Sequence, residues 1–89
     1  MASIVYWSKG ATEELLQLDS RLQKRITSKL SFWCTQANPL SFAKRLVNAN
    51  VGQYRFRVGD YRILFDVGTD GVVTILVILR VKHRRKAYD

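Results

Sequence analysis

The chain opens on Ser3-Ile4-Val5-Tyr6-Trp7, a β-prone run that reads as a short strand closed by the turn Ser8-Lys9-Gly10. Thr12 is placed to cap a helix beginning at Glu13, and the acidic pair Glu13 and Glu14 suits the positive end of such a helix. From there Leu15, Leu18, Leu22, Ile26, Leu30, Trp33 and Ala37 recur in steps of three or four, which builds one apolar helical stripe. Arg21, Lys24, Arg25 and Lys29 lie off that stripe. Asp19-Ser20 breaks the run with two residues that cap helices well, so the pattern predicts a helical hairpin or kink rather than one rod. Asn38-Pro39 ends the second helix, because the proline ring disfavours helical backbone at the residue before it. A connector from Ser41 to Val51 follows and carries Lys44 and Arg45.

The remainder alternates as strands do: Gln53 to Val58, Tyr61 to Val67 and Val72 to Val81, separated by Gly59-Asp60 and by Gly68-Thr69-Asp70-Gly71. Short loops of this kind imply antiparallel pairing. A two-residue turn with glycine first sets the register of the strands around it. Val58 then faces Tyr61, Arg57 faces Arg62, Phe56 faces Ile63, Arg55 faces Leu64 and Tyr54 faces Phe65. Because side chains alternate across a strand, Arg55, Arg57 and Arg62 share one face. Tyr54, Phe56, Val58, Tyr61, Ile63 and Phe65 share the other, which is the core side. The last strand is apolar on both faces and belongs in the interior of the sheet.

With 89 residues the chain holds one domain, 1–89, and 47% hydrophobic with 25% charged residues is the composition of a globular protein with a real core. The longest apolar stretch, Val72 to Leu79, is too short to cross a bilayer and too far along the chain to be a signal peptide, so a cytoplasmic protein with no membrane partner is expected. Cys34 has no second cysteine and no zinc-ligand spacing, and reads as a buried thiol. The seven carboxylates form no recognisable cluster with the one histidine, so no metal and no cofactor is expected.

The net charge of +8 changes the picture, since a field of that sign attracts polyanions. Residues 1–43 hold five basic and three acidic side chains, whereas residues 44–89 hold ten and four. Like charges opposite one another on neighbouring strands cost roughly 0.2–1 kcal/mol per pair. A purely structural sheet face would avoid the Arg57–Arg62 pairing. Three planar donors on one face are suited to bidentate capture of phosphate, although incidental arginines on a solvated face, offset by Asp60 and Asp66, would read the same way. The closing run Arg80-Val81-Lys82-His83-Arg84-Arg85-Lys86, followed by Ala87-Tyr88-Asp89, is by itself either a polar tail or a nonspecific nucleic-acid patch.

The string Tyr54-Arg55-Phe56-Arg57-Val58-Gly59-Asp60-Tyr61-Arg62-Ile63-Leu64-Phe65 resembles the central hairpin of the RelE/ParE toxin superfamily. Ile78-Leu79-Arg80-Val81-Lys82-His83-Arg84-Arg85-Lys86-Ala87-Tyr88 is similar to the same family's C-terminal motif. The resemblance covers nearly the whole chain and implies an α+β fold, with two N-terminal helices packed on one face of a twisted, mainly antiparallel four-stranded sheet. It implies a RelE-type toxin of a type II toxin–antitoxin system, a metal-independent endoribonuclease that cuts mRNA in the ribosomal A site. The chemistry so implied is attack of the substrate's 2′-hydroxyl on the adjacent phosphate with loss of the 5′-oxygen. The resemblance implies that Arg55, Arg57, Arg62, Arg84 and Tyr88 are the catalytic residues. Lys44, Arg45, Arg80, Lys82, His83, Arg85 and Lys86 are the expected RNA-binding residues, and Lys82 stands where many relatives have a small or acidic residue. Arginines would stabilise the charged phosphorane. Tyr88, made more acidic by neighbouring guanidinium groups, would take the 2′-hydroxyl proton, with Arg84 or His83 assisting the leaving oxygen. A RelB-like antitoxin, the ribosome and mRNA are the implied partners, with operator DNA bound only through the antitoxin complex. The alternatives are a ParE-like inhibitor of DNA gyrase, which shares the fold and needs no RNA-cleaving residues, and a non-catalytic nucleic-acid-binding module in which the same arginines only neutralise phosphates.

Overall fold

A computed structural model describes residues 3–47, 52–70 and 73–85, without the side chains of residues 70 and 73. Strand β1 (Ser3–Trp7) leads into helices α1 (Lys9–Leu16) and α2 (Ser20–Cys34), a 3-10 turn over Pro39–Phe42, and strands β2 (Lys44–Arg45), β3 (Tyr54–Val58), β4 (Tyr61–Asp70) and β5 (Val73–His83). The sheet order is β1-β5-β4-β3-β2, with β1 parallel to β5 and the other pairs antiparallel. The sheet therefore has five strands where four were expected. The fifth is β2, two residues inside the expected connector. It is held by its rungs to β3 and by the bond from Leu46 N–H to the Gln53 carbonyl, 2.9 Å.

The helices start and stop on side-chain chemistry. α1 begins three residues before Thr12, because Ser8 is its cap: Ser8 Oγ accepts from Ala11 N–H at 3.1 Å, while the Thr12 hydroxyl donates to the Ser8 carbonyl. Asp19 caps α2 by accepting from Leu22 N–H at 2.9 Å, which makes the expected break a true helical hairpin. α2 stops at Cys34, ahead of Pro39, where the Thr35 backbone N–H and hydroxyl both turn back to the Phe32 carbonyl. Ala37 thus lies beyond the helix and is exposed.

The core lies between the helices and one face of the sheet, and its spine is aromatic. Trp33 stacks on Phe56 at 4.4 Å between centroids, Phe56 on Phe65 at 4.5 Å, and Phe65 on Tyr54 at 5.8 Å. Ile26, Leu30, Ile63, Leu76 and Ile78 close around them. Cys34 is a free, buried thiol, and burial pushes its pKa up.

Among the described residues two glycines with positive φ permit turns. Gly59 (φ 58°) makes the β3–β4 turn, and Gly52 (φ 85°) brings the chain onto β4. A Cβ on Gly52 would stand 3.2 Å from the Phe65 backbone nitrogen and 3.4 Å from Leu64 Cβ, whereas on Gly59 it would meet only the flexible Arg25 guanidinium at 3.4 Å. Gly52→Ala should therefore destabilise the fold by about 2–3 kcal/mol and Gly59→Ala by about 1–2 kcal/mol. Urea unfolding checks the order, and equal losses would contradict it.

Candidate nucleic-acid interface

The β3–β4 register is the one the turn predicts: Tyr54–Phe65, Arg55–Leu64, Phe56–Ile63, Arg57–Arg62 and Val58–Tyr61. Alternation places Arg55, Arg57 and Arg62 on the face away from the helices, since Phe56, Val58 and Ile63 are buried in the core on the other. Lys44, opposite Arg55, joins that open face from β2. Arg45, opposite Tyr54, faces the helix side instead, its guanidinium 5.9 Å from the Tyr54 ring centroid.

β5 completes the face through a feature that the sequence pattern did not reveal. Leu64 pairs with Arg80 but Phe65 pairs with Ile78, so Leu79 is an extra residue in the ladder. Leu76 and Ile78 point into the core before it, and Val81 does so after it. Unbroken alternation from Leu76 would have turned Arg80 and Lys82 into the core. The bulge turns them outward, Arg80 beside Leu64 and Lys82 beside Arg62. Ser8 stabilises it, with its N–H donating to the Ile78 carbonyl at 2.9 Å and its hydroxyl to the Leu79 carbonyl at 3.1 Å.

Within this surface the environments differ. Arg57 is exposed and Arg55 half-buried. Among the described residues Arg62 is the one buried charged side chain, 8% exposed, directly across from Arg57. A guanidinium tolerates this better than an ammonium because it is more weakly hydrated. Leu64, 1% exposed although it points to the open face, forms an apolar floor between Arg55 and Arg80. That floor lowers the local dielectric and strengthens any charge held above it. Asp66 adds one carboxylate further along β4.

The C-terminal residues divide. His83 pairs with Tyr61 and meets its ring edge-on, centroids 5.4 Å apart, so it lies on the helix side rather than among the arginines. Its Nδ1 accepts from Arg85 N–H at 3.3 Å. Arg84 is tied to the β3–β4 turn, its N–H donating to the Asp60 carbonyl at 2.7 Å and its Nε lying 3.8 Å from Asp60 Oδ1. Both side chains of that ion pair are exposed, as is Arg85. Lys86 and Tyr88 lie outside the described residues.

The fold recurs in known proteins. The family model for the ParE toxin of the type II toxin-antitoxin system, parDE, matches residues 5–88. The chain belongs to the RelE/ParE family of type II toxins. It is 30% identical over 88 residues to toxin RelE3 of Methanocaldococcus jannaschii, covering 96% of this chain and 94% of that protein. Its fold is similar to the toxin–antitoxin complex RelBE2 of Mycobacterium tuberculosis, with a TM-score of 0.71 and 25% identity over 94% of this chain and 93% of that one. It also resembles the archaeal RelE–RelB complex of Pyrococcus horikoshii OT3, with a TM-score of 0.68 and 23% identity over 98% of this chain and 100% of that one. In this toxin Arg55, Arg57, Arg62 and Lys44 share the helix-free face of the sheet, and the β5 bulge turns Arg80 and Lys82 out of the core beside it. Among the described residues no group of three or more potential metal ligands is found, and no helix is long and apolar enough to cross a membrane.

Glu14 is a residue of interest that the sequence did not single out, beyond its place near a helix start. Its Oε1 accepts from Val81 N–H at 2.9 Å and its Oε2 pairs with Lys82. The two bonded residues are 67 and 68 positions away in the chain, and no local pattern connects them.

Proposed function

We propose that this toxin is a ribosome-dependent endoribonuclease that cuts mRNA in the A site without a metal ion. The observation that carries the reading is the Arg57–Arg62 rung, an exposed and a buried guanidinium facing each other beside Arg55 and Lys44. Juxtaposed like charges cost folding energy that a bound phosphate offsets. A scissile phosphate on these arginines would be oriented for attack by its neighbouring 2′-oxygen. The new bond from that oxygen to phosphorus forms as the bond to the 5′-oxygen breaks, leaving a 2′,3′-cyclic phosphate and a 5′-hydroxyl. Guanidinium groups fixed before the reaction stabilise the charge that grows on the phosphorane.

Proton transfer falls to other groups, because arginine stays protonated. Tyr88, in its phenolate form, is our choice for accepting the 2′-hydroxyl proton, while Arg84 would hydrogen-bond the leaving 5′-oxygen from its position at the β3–β4 turn as that oxygen takes its proton from water. His83 is a weaker choice, since it faces Tyr61. Arg80 would hold a flanking phosphate, as would Arg85 and Lys86 beyond the strand. For control, we propose a RelB-like antitoxin with an acidic or amphipathic segment that covers the basic face, the pair together binding operator DNA.

The matching ParE family model favours a second reading, inhibition of DNA gyrase. One experiment separates them. Purified protein is added to ribosomes stalled on a defined mRNA, with the same mRNA lacking ribosomes alongside, and cuts are mapped by primer extension. Cuts at the A-site codon only with ribosomes are expected. No cut in either sample, with loss of supercoiling in a gyrase assay, would replace this reading by the second.

A further inference from the structure

β1 ends opposite Ile78, so β5 from Leu79 onward has no strand on its outer side among the described residues. α1 covers that edge instead, Ser8 taking the Leu79 carbonyl and Glu14 Oε1 the Val81 N–H. The second oxygen of the same carboxylate, Oε2, holds the Lys82 ammonium. The pair is well shielded, with 27% of the Lys82 side chain and 19% of the Glu14 side chain exposed, so it is less screened than a surface ion pair.

By register Lys82 stands beside Arg62 and would extend the cationic face. Its ammonium is directed to the edge instead. We propose that Glu14 is a positioning residue that competes with RNA for Lys82, neutralising this lysine at the sheet edge so that phosphate is held by the arginines of β3 and β4. The inference rests on the reading of the open face as an RNA-phosphate site. Its consequence is quantitative: a cation released to a phosphate on single-stranded nucleic acid adds about 0.7 to the magnitude of the slope of log K against log salt.

The test uses the full chain and a short, fluorescein-labelled 2′-O-methyl oligoribonucleotide, which offers no 2′-hydroxyl for cleavage, with binding read by fluorescence anisotropy over a range of NaCl. Glu14→Gln keeps an acceptor for the Val81 N–H and discharges the partner of Lys82. It should bind about 3–10-fold more tightly at low salt, with the slope steeper by about 0.7. Lys82→Ala alone should leave the slope at its wild-type value, and the double variant should return both affinity and slope to wild type. Glu13→Gln, the same charge change at the exposed neighbouring residue, should leave the slope unmoved.

A Glu14→Gln variant indistinguishable from wild type would overturn the proposal, as would a gain that survives Lys82→Ala or that Glu13→Gln reproduces. If Arg57→Ala leaves wild-type binding intact, the phosphate site itself is wrong and the competition falls with it. Thermal melting of each variant shows that the folded protein is being compared.

Discussion

Arg62→Ala should lower the single-turnover rate of A-site mRNA cleavage by about 10²–10³-fold, the cost of removing one preorganised group that stabilises transition-state charge. Arg62 is the member of the cluster for which the largest effect is expected. It is buried on the open face, so water screens its charge least, and it faces Arg57 directly. Arg62→Lys keeps the charge but loses the planar fork, and should cost roughly tenfold. Relief of the Arg57–Arg62 repulsion offsets part of the packing lost with the side chain, so stability should change by less than about 2 kcal/mol. Cleavage by primer extension and a thermal melt on the same preparations separate chemistry from folding. Wild-type cleavage by Arg62→Ala would remove the arginine rung from the mechanism.

The second large effect is on the fold. Phe56→Ala should destabilise the protein by about 3–5 kcal/mol, the usual cost of emptying a core position of that size. Phe56 is 0% exposed and is the middle ring of the stack, with Trp33 on one side and Phe65 on the other. Its loss therefore breaks two aromatic contacts at once. Against a total stability of roughly 5–15 kcal/mol, this approaches unfolding. Urea titration followed by tryptophan fluorescence measures it, and a loss under about 1 kcal/mol would mean that the stack does not hold the core. Phe56 also lies between Arg55 and Arg57 in β3, so cleavage should fall with the folded fraction even though the side chain points away from the arginine face.

Much of this architecture was legible because it depends on neighbours in sequence. Helical periodicity placed Leu22, Ile26, Leu30 and Trp33 on one stripe, and all four pack on or in the core. The glycine-first turn at Gly59-Asp60 set five rungs of β3 and β4, and with them the common face of Arg55, Arg57 and Arg62. Local stereochemistry suffices there, since a two-residue turn leaves the strands only one register and alternation does the rest. Helix starts were legible only where capping was unambiguous: Asp19 was, but Ser8 was passed over for Thr12, because both are good caps and the choice depends on what else Ser8 binds.

What the sequence by itself determined is the pair of helices, the strands of the central hairpin and the three arginines on one face. The tertiary structure decided the rest of the surface. β2 exists only because β3 offers an edge to Lys44 and Arg45. β5 is apolar enough on both sides that alternation cannot show the extra residue at Leu79, and only the competing demands of Ile78 and Val81 for the same core turn Arg80 and Lys82 outward. His83 and Lys82 are adjacent in sequence yet take different partners, one against Tyr61 and the other tied to Glu14 at the sheet edge. These outcomes come from packing between segments distant in the chain, where burial and hydrogen bonding at a strand edge outweigh anything that residues a few positions apart can encode.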